Sequence, residues 1–267
     1  IENCKLTGTN TSNGIIYNGA GGAVDIMIKR CYIDAPYGIS IWSASQVFVF
    51  DNYITGETDA QKAIDLYTSN LAIVRGNYIY NFGTTSGTSV YGIYGATVAD
   101  KNYIDGIGNL NTTTAYGIMG GFSPSVVSSN YVTNLKASSS SGTACGIKGG
   151  YVIGNRIGAI TERPYNAYGI RSQGRVIGNY IDSVGSSTYT QNAYGIYADA
   201  QSIISSNYIG NIMANGSGGQ GVAIDTKGHG NCSITDNYIS GVYVATTKYG
   251  IYVGSLSYVA GNIITDS

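Results

Sequence analysis

The sequence predicts an all-β fold, a single-stranded right-handed parallel β-helix of about eleven coils of roughly 25 residues, with residues 1–267 as one domain. Three features carry that expectation. A block Asn-x-Ile recurs along the whole chain, a second block Tyr-Gly-Ile falls between its occurrences, and the composition suits short stacked strands.

The first block reads Asn-Tyr-Ile at 52–54, 77–79, 102–104, 179–181, 207–209 and 237–239. Variants begin at Asn130, Asn155 and Asn262, and Cys4 and Cys31 head the two earliest occurrences. Successive spacings are 27, 21, 25, 25, 28, 25, 24, 28, 30 and 25 residues, one turn of a coil made of three short strands and their corners. The second block reads Tyr-Gly-Ile at 37–39, 91–93, 116–118, 168–170, 194–196 and 249–251. Gly14-Ile15, Ala63-Ile64, Gly146-Ile147 and Ala223-Ile224 stand in the remaining coils. Runs such as Val47-Phe48-Val49-Phe50 alternate with period two and are β-branched or aromatic, which suits strands. None could bury its apolar face alone, so neighbouring coils must stack.

Alternation assigns directions. The residue three before each block, from Ile28 and Val49 to Ile234 and Val259, is always apolar and so points inward. The block's Asn, at matching parity, also points inward, at a corner. A buried amide without partners is costly, but identical amides one rung apart can donate to one another and to corner carbonyls. These Asn are expected to form a ladder that holds corners. The Ile two further on is inward, which leaves an outward column of Tyr32, Tyr53, Tyr78, Tyr103, Tyr131, Tyr180, Tyr208 and Tyr238. The pattern resembles the pectate-lyase-like superfamily of right-handed parallel β-helices, whose repeats commonly read Gly-Ile…Asn-x-Ile. That resemblance implies the fold over the whole chain. Its members include pectate lyases, polygalacturonases, alginate epimerases, phage tailspike depolymerases and surface proteins without catalysis, so function must come from the site.

Charged residues make up 11% of the chain, beside 39 Gly, 25 Tyr and 3 Pro, so hydroxyls and amides must keep it in water. A net charge of −1 gives no electrostatic reason to expect nucleic acid or an anionic membrane as partner. No run of about 18 apolar residues is present, and membrane insertion is not expected. Four cysteines without a metal spacing and the single His229 lead to an expectation of no metal and no cofactor. Cys4 and Cys31 occupy one repeat position on consecutive coils. Rungs about 4.8 Å apart suit a disulfide at Cα but are wide at Cβ, so a pair of small buried residues is expected, with a bond as the alternative. Cys145 and Cys232 read as core. The repeat is already running at Asn3-Cys4 and still running at Asn262, so the chain is expected to be an internal piece of a longer one. The composition suits an extracellular, cell-surface or virion setting. Asn10, Asn111, Asn215 and Asn231 fit the N-glycosylation pattern, which an Asn/Ser/Thr-rich chain also produces by chance.

Insertions mark the functional edge of a solenoid. The links from Asn-x-Ile to Tyr-Gly-Ile vary most, as at 80–90, 105–115, 133–144 and 182–193, and should line the outer face of the strand that follows. On that strand the outward residues after the inward Ile are Ser40, Asp65, Tyr94, Met119, Lys148, Arg171, Tyr197, Asp225 and Tyr252, provided no bulge intervenes. Two clusters stand out. Trp42, Asp65, Tyr67 and Tyr94 suit a sugar, flat rings taking its C–H faces while Asp accepts hydroxyls; the bland alternative is a scattered aromatic surface. As a glycosidase site it needs a second carboxylate, for which Asp59 and Glu57 are the candidates. The second cluster, Lys148, Arg171, Tyr197 and Asp225 with Asp199, Lys227 and His229 nearby, places like charges on consecutive rungs. These are unfavourable unless an anion such as a uronic acid, or Asp225 or Glu162, answers them. In a lyase, Arg171 or Lys148 would neutralise the substrate carboxylate. Neither the calcium-binding Asp cluster of pectate lyases nor the Asp pairing of polygalacturonases has a counterpart, which leaves catalysis open between glycoside hydrolase, polysaccharide lyase and none.

Two functions remain open from sequence. One is a tailspike-like β-helix that binds, and in one version cleaves, polysaccharide. The other is a non-catalytic structural or assembly module of a surface layer, appendage or virion. The third strand of each coil bears on the second. Its outward residues Met27, Phe48, Ile73, Val98, Val126 and Tyr151 are apolar without a break, which points to a homo-oligomer, a trimer or larger, through this face. Cover by the segment 8–22 is the alternative.

Overall fold

The computed structural model describes the chain except residues 9–12, 20–23, 57–59, 68–69, 85–86, 110, 122–124, 187–189, 200, 217, 245 and 266–267; at 13, 138–141 and 162–163 it describes the backbone. Among the described residues there are strands and no helix, and every pairing is parallel, coil to next coil. The fold is a parallel β-solenoid with three outer faces. Sheet 1 carries Asn-x-Ile and stacks eleven strands, from Lys5–Thr7 to Ile263–Thr265. Sheet 2 carries Tyr-Gly-Ile and stacks ten, from Asn13–Asn18 to Thr247–Val253. Sheet 3 stacks ten more, from Asp25–Lys29 to Tyr258–Ala260. Nine to ten rung-to-rung steps therefore link one end to the other, a length of about 45 Å at the spacing of paired strands. At Tyr131–Ile153 and Ile160–Ile177 the chain stays extended around its corners, so one strand serves more than one face.

The core is a stack of aliphatic columns. Residues three before the ladder position, Ile28 through Ile234, are fully buried, and those on the two end rungs, Ile1 and Val259, are exposed. The ladder forms as the alternation predicts. Each Asn Nδ2 from Asn52 to Asn237 donates to the Oδ1 of the next rung's Asn at 2.8–3.0 Å. The same Oδ1 also accepts the backbone N–H of the preceding Asn. A second Nδ2 proton reaches corner carbonyls, as from Asn130 to Ala99 and Ser128, both at 2.9 Å. Cys31 opens the ladder by donating its N–H to Asn52 Oδ1. All four cysteines are free thiols.

Local backbone chemistry makes the corners. The residue before each ladder position from Cys4 to Asn262 has positive φ, whether Gly178 at 65° or Lys101 at 54°, so the chain turns there through the left-handed region. The Gly of Tyr-Gly-Ile answers a different need. At Gly169 a Cβ would come within 2.6 Å of the Gly195 carbonyl oxygen and of Ile181 on the next coil. Ala63 and Ala223 show that a coil can open enough for one methyl.

Removing a ladder amide strands its neighbours' donors and acceptor. Asn130→Ala should cost about 1–3 kcal/mol. Asn262, with a ladder partner on one side, should cost less. Thermal melts of the two variants check this, and equal shifts would count against the ladder as a source of stability.

Candidate functional site

The outward column of sheet 2 stands as its spacing predicts. Ser40, Asp65, Tyr94, Met119, Lys148, Arg171, Tyr197, Asp225 and Tyr252 pair rung by rung in one register. Simple alternation missed a second column beside it. The register skips the Gly of Tyr-Gly-Ile, so Tyr and the residue after Ile both face out. Tyr91 stacks on Tyr116 at 5.5 Å and Tyr168 on Tyr194 at 5.0 Å, and two strands set their outward rings edge to face, Tyr91 with Tyr94 and Tyr194 with Tyr197. The Gly between Tyr and Ile was the available signal, because a glycine inside a strand marks a break in regular geometry or a close approach of backbone.

The structure brings the first cluster together. Trp42, 43% exposed, lies 5.7 Å from Tyr67, and Tyr67 lies 6.2 Å from Tyr94 in a near-parallel stack. Trp42 Nε1 donates to Ser40 Oγ at 3.1 Å, which fixes the indole's tilt. Asp65 is different. It is 3% exposed, its Oδ2 accepts from Lys62 Nζ at 2.7 Å, and its Oδ1 is buried without a partner. Lys62 in turn sits over the rings of Tyr91 and Tyr94. Pointing outward did not make Asp65 accessible, because in a solenoid each outward side chain is flanked by its neighbours above and below. Asp59 and Glu57 lie outside the described residues.

The strip ends in a cleft of about 500 Å³ at the corner between sheets 2 and 3. Tyr94, Met119, Lys148 and Arg171 line its sheet 2 side, and Tyr151 and Gln173 stand across it. Small residues open the corner on three consecutive rungs, at Gly120-Gly121, Gly149-Gly150 and Gly174. Among the described residues no carboxylate lies within ion-pair distance of Lys148 or Arg171. Two such charges one rung apart repel by about 1 kcal/mol in water and by more in a partly dry cleft. Arg171 is held against the rings of Tyr168 and Tyr197, its guanidinium 5.9 and 5.6 Å from their centres. Asp199 also reaches the cleft, but it pairs with His229 Nε2 at 3.1 Å, and His229 meets Tyr197 edge to face.

Asp225 does not answer these cations. It is 4% exposed and its Oδ1 accepts the Lys227 N–H at 2.8 Å. The Glu162 side chain lies outside the described residues. No three His, Cys, Asp or Glu side chains among the described residues converge on a point that would hold a metal ion. Comparison with known proteins finds no family model, no curated protein and no solved structure that matches the chain.

Burial raises the Asp225 carboxyl above its ordinary 3.8, against the lowering effect of the Lys227 N–H, the Lys227 charge and His229. A raised carboxyl binds its proton more tightly in the folded chain than in the unfolded one. Stability from this group is therefore greatest at low pH and falls as pH rises from the ordinary value through the raised one. Asp225→Asn, which can still accept from Lys227, should melt higher than the parent at pH 7 and no higher at pH 3. Paired melting curves at the two pH values check the sign.

Proposed function

We propose that this chain is a glycan-binding β-helix of the pectate-lyase-like type, working at a cell surface or virion, that takes an acidic polysaccharide along the outer face of sheet 2. The observation that supports it is continuity. Trp42, Tyr67 and Tyr94 make an unbroken aromatic strip that runs into the cleft of Lys148 and Arg171. Five rungs separate Trp42 from Arg171, about 24 Å, the reach of a short oligosaccharide laid along the axis. Flat rings suit pyranose faces, and unpaired cations suit a carboxylate or sulfate through charge-assisted hydrogen bonds. The proposal stops at binding. Asp65, the described carboxylate within the strip, is buried and held by Lys62, a poor position for work on a glycosidic bond.

Binding of neutral and acidic oligosaccharides tests this. Trp42→Ala should weaken both by tenfold or more, about 1.4 kcal/mol. Lys148→Ala with Arg171→Ala should weaken the acidic ones alone, and the parent's acidic binding should fall with salt. A parent that binds none, or a double variant that weakens both classes equally, would overturn it.

One observation favours an assembly role beside it. The outer column of sheet 3 runs Met27, Phe48, Ile73, Val98, Val126, Tyr151 in register, with Ile153 and Ile203 exposed further along. The alternative cover by 8–22 does not come from Asn13–Asn18, which is a strand of sheet 2, and 9–12 and 20–23 lie outside the described residues. We propose that a second copy of this chain covers the face. About 45 Å by 10 Å gives roughly 450 Å², well short of the ~800 Å² per partner of a standard interface, so the association should be weak. Light scattering should show mass rising with concentration, and Phe48→Asp with Ile73→Asp should abolish the rise. A monomer at every concentration would remove the assembly role.

A further inference from the structure

Of the described residues that line the cleft, Asp199 is the one carboxylate, and it shares that space with Lys148 and Arg171. Its place follows from the coil. The strand Asn192–Ala198 lies one rung beyond Arg171, and Asp199 follows it at the corner, its N–H donated to the Ser172 carbonyl at 2.9 Å. One rung and two residues separate Asp199 from Arg171 along the sheet, roughly 8 Å. That leaves the two without an ion pair, yet inside the ~10 Å over which charges act on one another at 0.1 M salt. A negative charge at Asp199 therefore lowers what the two cations offer to an anion without tying either of them down.

His229 decides how much of that charge is felt. It is the chain's single histidine, and its Nε2 lies 3.1 Å from Asp199 Oδ1. A tight turn on the next rung delivers it there, with the Lys227 N–H donated to Asp225 Oδ1 at 2.8 Å and the His229 N–H to the Thr226 carbonyl at 2.9 Å. Tyr197 joins the two ends of the cluster. The Arg171 guanidinium lies 5.6 Å from its ring centre, and His229 meets it edge to face at 6.4 Å. The other charged groups near His229 belong to its own turn. Asp225 interacts with it from a buried position, and Lys227 is engaged with Tyr252, 4.8 Å from the ring centre. Solvent reaches both partners of the pair, the side chains of Asp199 and His229 being 21% and 32% exposed, so a proton can come and go without opening the fold.

We infer that Asp199 and His229 form a proton-controlled counter-charge at the end of the cleft, which strengthens its hold on an anion as pH falls. Imidazole is the side chain that gains its proton between pH 8 and pH 5. With His229 neutral, the two cations and the one carboxylate sum to a single positive charge. With His229 protonated, Asp199 is answered by an ion pair and the charges of both cations are felt in full. That the anion is a glycan acid rests on the reading above. The charge control rests on the cleft alone.

Binding at pH 5.5 and pH 7.5, at constant low salt, tests this. The probes are inorganic sulfate, followed through the Arg171 Nε–H resonance, and an oligogalacturonate with its neutral methyl ester. Sulfate and galacturonate keep their charges across this window, so a change in affinity belongs to the protein. The parent should bind both anions at least threefold more tightly at pH 5.5 and the ester equally at both values. His229→Gln, which still donates to Asp199 but carries no charge, should bind at either pH as the parent does at pH 7.5. Asp199→Asn should bind sulfate at least threefold more tightly than the parent at pH 7.5. Loss of the Asp225 charge would act in the same direction as protonation of His229, so Asp225→Asn is the control and should keep the parent's pH ratio. If sulfate binds with this pH ratio while the oligogalacturonate does not bind, the glycan reading falls and the counter-charge stands. Sulfate binding that ignores pH, that keeps its pH ratio in His229→Gln, or that is absent at both pH values overturns the inference. Melting temperature confirms that each variant is folded. Should His229→Gln not fold, Asp199→Asn decides, because a pH 7.5 affinity no better than the parent's sinks the idea by itself.

Discussion

Everything in this molecule depends on the hydrogen bonding that holds each coil one strand spacing from the next. The backbone supplies most of it, through parallel pairing on all three faces. Parallel pairing alone does not choose a register, and a slip by one residue would turn every side chain to the opposite side. The asparagine ladder removes that freedom. Each interior amide oxygen accepts two protons from the coil before it, and each amide nitrogen ties a corner to a carbonyl of an earlier strand. An amide one residue out of step would lose all of these partners, about 1 kcal/mol for each bond lost.

Once register is locked, the protein is organised by columns, and the physics of a side chain is largely its relation to the same position one rung away. Phenols tolerate this well. Tyr78 and Tyr103 stack at 4.8 Å with their rings 3° from parallel, and the column along sheet 1 continues through Arg156, whose flat cation takes the place of a ring. Charges tolerate it badly, which is why Asp65 carries Lys62 and Asp100 carries Arg75. Against that background Lys148 and Arg171, adjacent and without a described carboxylate partner, are the exception, and they line a cleft opened by glycines at the same corner. A column that breaks its own rule is where a solenoid has room for a ligand.

The three faces divide the outer surface by chemistry. Sheet 1 presents the tyrosine column, sheet 2 an aromatic strip that leads into a cationic cleft, and sheet 3 an apolar stripe. All share one core, so each can diverge without disturbing the others. The cleft falls at the border of two faces, and Tyr151 belongs both to it and to the apolar stripe.

The sequence by itself determined the parallel β-solenoid, its three faces, the ladder, the sheet 1 tyrosine column and the order of residues down the outer face of sheet 2. It could do so because these follow from a periodic register, and a period is a one-dimensional property that a chain displays without folding. The strip from Trp42 to Tyr94 and the adjacency of Lys148 and Arg171 were legible for the same reason. What only the tertiary structure decided is access and the company each side chain keeps. Alternation made Asp65 outward, yet Lys62 and the flanking rungs bury it. Asp225 shares the column of the cations but bonds to its own turn at Lys227. The break in alternation at Tyr-Gly-Ile put a second tyrosine column beside the first, and Cys145, buried as a core thiol should be, falls in its register between Tyr116 and Tyr168. Burial, local strand geometry and the contacts of a long side chain depend on distances in three dimensions, and a repeat pattern carries no record of them.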